Sequence, residues 1–247
     1  MKYNLFNRAK LNAFASYFGF IINAIIAFFA SPFLVQFLGS TSFGIWKSVQ
    51  KILTFASVAD GRATQALKWI IADKESKDDI YEKQQAVGSA LKVWTLFLPF
   101  VLIILSIIIW NLPYLVNDVD SELYSKIQIL GFILGINLLI NPLIGIPDAI
   151  LVGTNRGYKS TLIKTFGIVI SNVLMIISSY LGYGIIGLGV VVIIVTLFNS
   201  IFIYYVCKKS VRWFGIKKPS KKQVKSFFSF SFWVLIWSFV AKLILST

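Results

Sequence analysis

The sequence predicts an all-α fold, a polytopic transmembrane helix bundle of about seven spans, and three observations carry that expectation. Hydrophobic residues fill 57% of the 247 positions, above the roughly 45–50% of a soluble domain. Charged residues make up 14%, against about 25% in soluble proteins. The basic residues also gather in alternate gaps between apolar stretches, as the positive-inside rule requires of a multi-pass chain.

Each element follows from that alternation. The tail Met1–Lys10 carries Lys2, Arg8 and Lys10 and is expected in the cytoplasm. A first span covers 11–38, with Pro32 near its outer end; it is too long for a signal peptide, and further spans follow it. The uncharged turn 39–42 faces outside, and a second span, 43–72, returns. Residues 73–85 are polar and of mixed charge, a cytoplasmic loop or an amphipathic surface helix. The third span is 87–110, and the loop after it, with Asp118, Asp120 and Glu122 against Lys126, belongs outside. The fourth span, 127–152, is expected to be broken by Pro142 and Pro147. A basic turn with Arg156 and Lys159 leads inside to the fifth span, 161–181, and a glycine-rich turn outside leads to the sixth, 185–206. The stretch 208–225 holds Lys208, Lys209, Arg212, Lys217, Lys218, Lys221, Lys222 and Lys225, the strongest cytoplasmic signal in the chain. A seventh span occupies 226–247. The expected division is therefore an N-terminal lobe of six helices (1–207), a basic linker (208–225) and a seventh helix (226–247) that opens a second lobe missing from this chain. The segments Phe14–Phe18 and Phe228–Phe232 echo one another, either as a trace of internal repetition or as two aromatic-rich helix starts alike by chance.

The net charge of +14 would suggest nucleic acid in a soluble protein. Here basic loops against an anionic leaflet account for it, no nucleic-acid motif is present, and membrane lipids are the expected neighbours. The single cysteine, Cys207, allows no internal disulfide. The chain has no histidine, the commonest metal ligand and general base, so no metal, cofactor or catalytic constellation is expected.

Ionisable groups inside a bilayer are costly and mark pathways or pairs. Lys51, Asp60, Arg62, Asp148 and Lys242 lie inside the expected spans, with Lys47 near an outer end. On one continuous helix, Lys47, Lys51 and Arg62 would share an arc of roughly 60°. Lys47 fits either a lumen or snorkelling to the headgroups. Asp60 fits a helix break or a partner on a neighbouring helix. On the fourth span Asn137, Asn141 and Asp148 fall within about 40° of each other; they suit a cavity wall or hydrogen bonds between helices. Lys242 shares a face with Ser231 and Ser238, and Asn23 with Ser16 forms a weaker polar stripe on the first helix. A cavity lined this way is cationic and fits phosphate or pyrophosphate.

Several motifs then stand in order. Ser31-Pro32 and Leu38-Gly39 precede Phe43-Gly44-Ile45-Trp46; Asp60-Gly61-Arg62 leads to Ala66-Leu67; Gly153 and Arg156 follow the fourth span; Lys225–Ser231 opens the seventh. Together they resemble the Wzx-type polysaccharide flippases of the multidrug/oligosaccharidyl-lipid/polysaccharide exporter superfamily, over essentially the whole chain. The resemblance implies the first lobe of a MATE-like two-lobe transporter in the bacterial cytoplasmic membrane. Its substrate would be a polyprenyl-pyrophosphate-linked oligosaccharide, as in O-antigen and other surface polysaccharide biosynthesis. It also implies partnership with other polysaccharide-assembly membrane proteins. The residues expected at the substrate are Lys47, Lys51, Arg62, Asn137, Asn141, Asp148, Lys242 and Asn23. The alternatives are a multidrug/cation antiporter or peptidoglycan-precursor flippase of the same fold, a membrane glycan polymerase, and a non-transporting scaffold.

Overall fold

The computed structural model describes residues 2–56, 62–75, 79–116 and 119–246, leaving aside the side chains of 2–5, 56, 239, 242, 243, 245 and 246. Helix α1 (Lys2–Leu38) turns into α2 (Ser40–Ala56) through Gly39 alone. Gly39 has φ 82°, a left-handed conformation that glycine adopts without a Cβ penalty. Its N–H donates to the Val35 carbonyl at 2.9 Å, and its carbonyl accepts from the Phe43 N–H at 3.1 Å. The chain continues as α3 (Ala63–Lys74), α4 (Ile80–Leu115), a 3-10 turn (Ser121–Leu123), α5 (Tyr124–Gly153), α6 (Gly157–Tyr180), α7 (Gly184–Ser210) and α8 (Lys221–Ser246). All the regular structure among the described residues is helical.

Five segments are long and apolar enough to cross a bilayer: Phe6–Leu38, Ile80–Leu115, Ser121–Gly153, Gly157–Tyr180 and Gly184–Ser210. Their outer faces carry large apolar side chains, such as Phe28 at 76% and Trp110 at 73% exposure. Water would not tolerate patches of that extent, whereas lipid requires them. The chain is a multi-pass helical membrane protein.

Two expectations need correction, and one open alternative is decided. The second span is not one helix. Arg62 stands before α3 in a left-handed conformation, φ 50° and ψ 28°, so α2 and α3 are separate helices of 17 and 12 residues. The polar stretch 73–85 is largely helical: α3 runs to Lys74 and α4 starts at Ile80, where Asp79 caps it by accepting from the Glu82 N–H at 2.9 Å. Salt bridges Lys74–Glu82 and Lys83–Glu75 (3.2 Å) tie the two helix ends together. The fourth span is not broken either, since α5 runs unbroken through Pro142 and Pro147. Proline has no N–H to offer the carbonyl four residues back, so Leu138 and Leu143 lose that donor while the helix continues.

Helix α5 is the centre of the bundle, packed against α2, α3, α4, α6 and α7, while α1 lies along α6 and α8 against α3 and α4. Two apolar clusters result. One, at the end where α1 and α4 finish, gathers Leu34, Trp46, Val49, Leu112, Ile127 and Leu188. The other, at the opposite end, gathers Leu67, Ile71, Val87, Ile150, Ile203 and Phe227. Small residues let the helices approach, as membrane packing demands. A Cβ on Gly153 would stand 2.7 Å from the Ile71 Cβ and 2.9 Å from the Lys68 carbonyl. Residues 211–220 are strapped across α4. Gln84 Nε2 donates to the Trp213 carbonyl (2.9 Å), the Lys217 N–H donates to the Gln84 carbonyl (3.2 Å), and Gln85 Nε2 donates to the Lys218 carbonyl (3.3 Å). The Lys83 ammonium sits 5.8 Å from the Trp213 ring centre.

Candidate functional site: a cationic groove along α5

Between the two apolar clusters, the middle of α5 carries three polar side chains, Asn137, Asn141 and Asp148. Its residues 137–148 border two open hollows that meet at Leu138 and Asn141. The first, about 560 Å³, is lined by Lys47, Gln50, Lys51 and Thr54 from α2 and by Asn137 and Asn141 from α5. The second, about 470 Å³, is lined by Arg62, Thr64, Asn141, Asp148, Lys164 of α6 and Asn199 of α7. Together they form one groove on the flank of α5. The Leu138 carbonyl, which receives no bond from Pro142, belongs to one of the two residues shared by both hollows.

The groove brings together most of the residues expected from the sequence. Lys47 and Lys51 are exposed, one helical turn apart on α2, and the Lys47 ammonium lies 5.4 Å from the Phe43 ring centre. Arg62 joins them by a different route from the continuous arc. The break before α3 places it in the second hollow, and its left-handed backbone costs about 1–2 kcal/mol for a residue with a Cβ. Strain of this kind concentrates at functional sites. Asn137 is half-buried and Asn141 exposed, both on the groove side.

Asp148 is more than a polar wall residue. It is 6% exposed and its Oδ2 pairs with Lys164 at 2.8 Å and Lys68 at 3.5 Å. Helices α3, α5 and α6 are thus pinned by one carboxylate between two ammonium groups. Neither lysine was singled out from the sequence, because both stand near the ends of their expected spans. Asn199, in the middle of α7, was also passed over; a lone amide in the run 185–206 was the available signal.

Two expectations fall away or aside. Asn23 is exposed on α1, which packs on α6, and does not line the groove. The Asn23 stripe therefore faces elsewhere, because α1 is separated from α5 by α6. Asp60 and the Lys242 side chain lie outside the described residues. Ser231, expected beside Lys242, is fully buried.

The geometry defines a helical membrane fold with an open, cationic groove beside its central helix. No family model matches this sequence, and no curated protein does. Among solved structures, the fold is similar to that of a crystal structure described as MATE in complex with MaD3S, with a TM-score of 0.67 at 18% identity. The match covers 86% of this chain and 49% of that one, so the chain spans about half the length of its structural neighbour. At that identity the likeness is one of fold, and it fits one lobe of such an architecture.

Proposed function

We propose that this chain is a transporter lobe that moves a lipid-linked oligosaccharide across the bacterial cytoplasmic membrane, with its N-terminus in the cytoplasm, for surface polysaccharide biosynthesis. The carrying observation is the charge of the groove. Among the described residues Lys47, Lys51, Arg62 and Lys164 line it against one carboxylate, Asp148, which is already paired with Lys164 and Lys68. Such a lining favours a diphosphate, which Arg62 can grip with a fork of donors and the lysines as point charges. Asn137, Asn141 and Asn199 offer amides to sugar hydroxyls. The openness of the groove along the bundle suits a substrate whose polyprenyl tail stays in lipid. The fold shared with a MATE structure supports a carrier in place of an enzyme. Export of organic cations would call for an acidic lumen, and Asp148 is already paired.

The test is binding by the purified full chain in detergent. A short-chain polyprenyl pyrophosphate should bind, and the neutral polyprenol and tetraphenylphosphonium should not. Lys51→Gln with Arg62→Gln should weaken the pyrophosphate about 10- to 100-fold, the scale of losing one or two charge-assisted hydrogen bonds. Tighter binding of the cation, or unchanged binding by the double variant, would remove this assignment.

A further inference from the structure

A further hollow lies between α4 and the start of α8. Its volume is about 740 Å³, and Lys92, Thr95 and Leu96 of α4 face Pro219, Lys221, Val224, Lys225 and Phe228 across it. Three lysines rim it and no carboxylate lines it. None of the three takes part in a salt bridge among the described residues. The floor is apolar: Phe228 stacks on Phe97 of α4 with ring centres 5.6 Å apart and planes at 18°, beside Leu96 and Val224.

The positive-inside rule accounts for a basic stretch before α8, and the fold gathers two of its lysines with Lys92 around one cleft. Lys221, Lys222 and Lys225 occupy the first turns of α8, where the helix dipole already presents positive charge, and no acidic residue offsets them. The helix start itself is well made. Ser220 Oγ accepts from the Gln223 N–H at 3.2 Å and Gln223 Oε1 accepts from the Ser220 N–H at 2.8 Å, a reciprocal cap that holds the lysines in place. Lys92 adds the third cation of the rim from a different helix, in an otherwise apolar run.

We infer that the cleft between α4 and α8 binds an anionic membrane phospholipid. Its phosphate is held by Lys92, Lys221 and Lys225, and the first carbons of an acyl chain lie on Leu96, Val224 and Phe228. An apolar floor under a cationic rim at the edge of the spanning region matches a lipid better than a soluble anion, whose hydration the floor does not replace. The site is separate from the groove along α5: the residues lining the two do not overlap. Occupancy would link α8 to α4 on the side opposite the α3 contact.

The experiment is native mass spectrometry of the full chain, released from nanodiscs of phosphatidylglycerol and phosphatidylcholine in equal amounts. The wild type should retain phosphatidylglycerol adducts in preference to phosphatidylcholine. The variant Lys92→Gln, Lys221→Gln, Lys225→Gln should lose that preference, each single change lowering it about fivefold, the contribution of one cation beside an anionic leaflet. A control with Lys208→Gln, Lys209→Gln and Arg212→Gln, equally basic and outside the cleft, should keep it. All three lysines of the cleft are exposed, so the substitutions leave the core untouched; should the triple variant fail to purify, Lys92→Gln alone decides. Equal retention of both lipids by the wild type, or the same loss in the control, overturns the proposal. So does full competition by soluble glycerophosphoglycerol, which has the headgroup and no chain.

Discussion

Replacing Asp148 by Asn is the most incisive perturbation of this fold. The side chain is 8% exposed and holds Lys164 at 2.8 Å and Lys68 at 3.5 Å. Removing one partner from a fully buried ion pair costs about 3–5 kcal/mol, because the remaining charge is left without compensation. Here the side chains of Lys164 and Lys68 are 48% and 26% exposed, so water in the groove recovers part of that. The expected loss is therefore about 2–4 kcal/mol. For a chain of this size that lowers the melting temperature by roughly 5–15 °C. Thermal unfolding of the purified protein in detergent, followed by tryptophan fluorescence, reads it directly. The same substitution removes the one carboxylate that lines the groove among the described residues, so pyrophosphate binding should tighten while stability falls. Lys164→Gln should do the reverse to binding, with a smaller thermal loss, since Lys68 still faces Asp148. A melting temperature for the Asn variant within a degree of wild type would show that the three-helix pin does not exist.

Four further outcomes follow. Gly153→Leu should destabilise by about 1–3 kcal/mol through overpacking against Ile71 and Lys68, read as a fall in melting temperature; an unchanged melt would mean that α3 and α5 do not approach so closely. Asn12 Nδ2 donates to Asn155 Oδ1 at 2.6 Å and its Oδ1 accepts from the Tyr158 N–H at 2.6 Å, so Asn12→Ala should cost about 1–3 kcal/mol and expose the start of α6 to amide exchange. Cys207 is fully buried and should react with maleimide only after denaturation; rapid labelling of the folded chain would place α7 wrongly. A topology reporter fused after Glu122 should read outside the cytoplasm, and a cytoplasmic signal would reverse the proposed orientation.

Much of this architecture was written in the spacing of charge. The ends of α5, α6 and α7 fall within a few residues of the expected spans, because apolar runs bounded by basic or glycine-rich turns leave little choice. The break at Arg62 was less visible. Asp60-Gly61 hinted at it, yet a run of apolar residues on both sides favoured one continuous helix. The prolines of α5 misled in the opposite sense: in a bundle, neighbouring helices hold the backbone straight enough to pass them. The groove emerged only in part. Lys47, Lys51, Asn137 and Asn141 could be found by periodicity on single helices. The pairing of Asp148 with Lys68 and Lys164 could not, because it depends on how α3 and α6 dock on α5. Asn23 lies outside that groove for the same reason: periodicity names a face and not the neighbour it meets.

The strap over α4 has a mechanical consequence. Gln84 and Gln85 hold residues 213 to 218 through backbone carbonyls and an amide, and a side chain at Gly88 would collide with the Lys217 carbonyl. The near end of α8 is thereby leashed to α4 as firmly as if the two were one hairpin. Any swing of α8 must hinge about that tether, its far end sweeping the widest path while its lysine-rich start stays still.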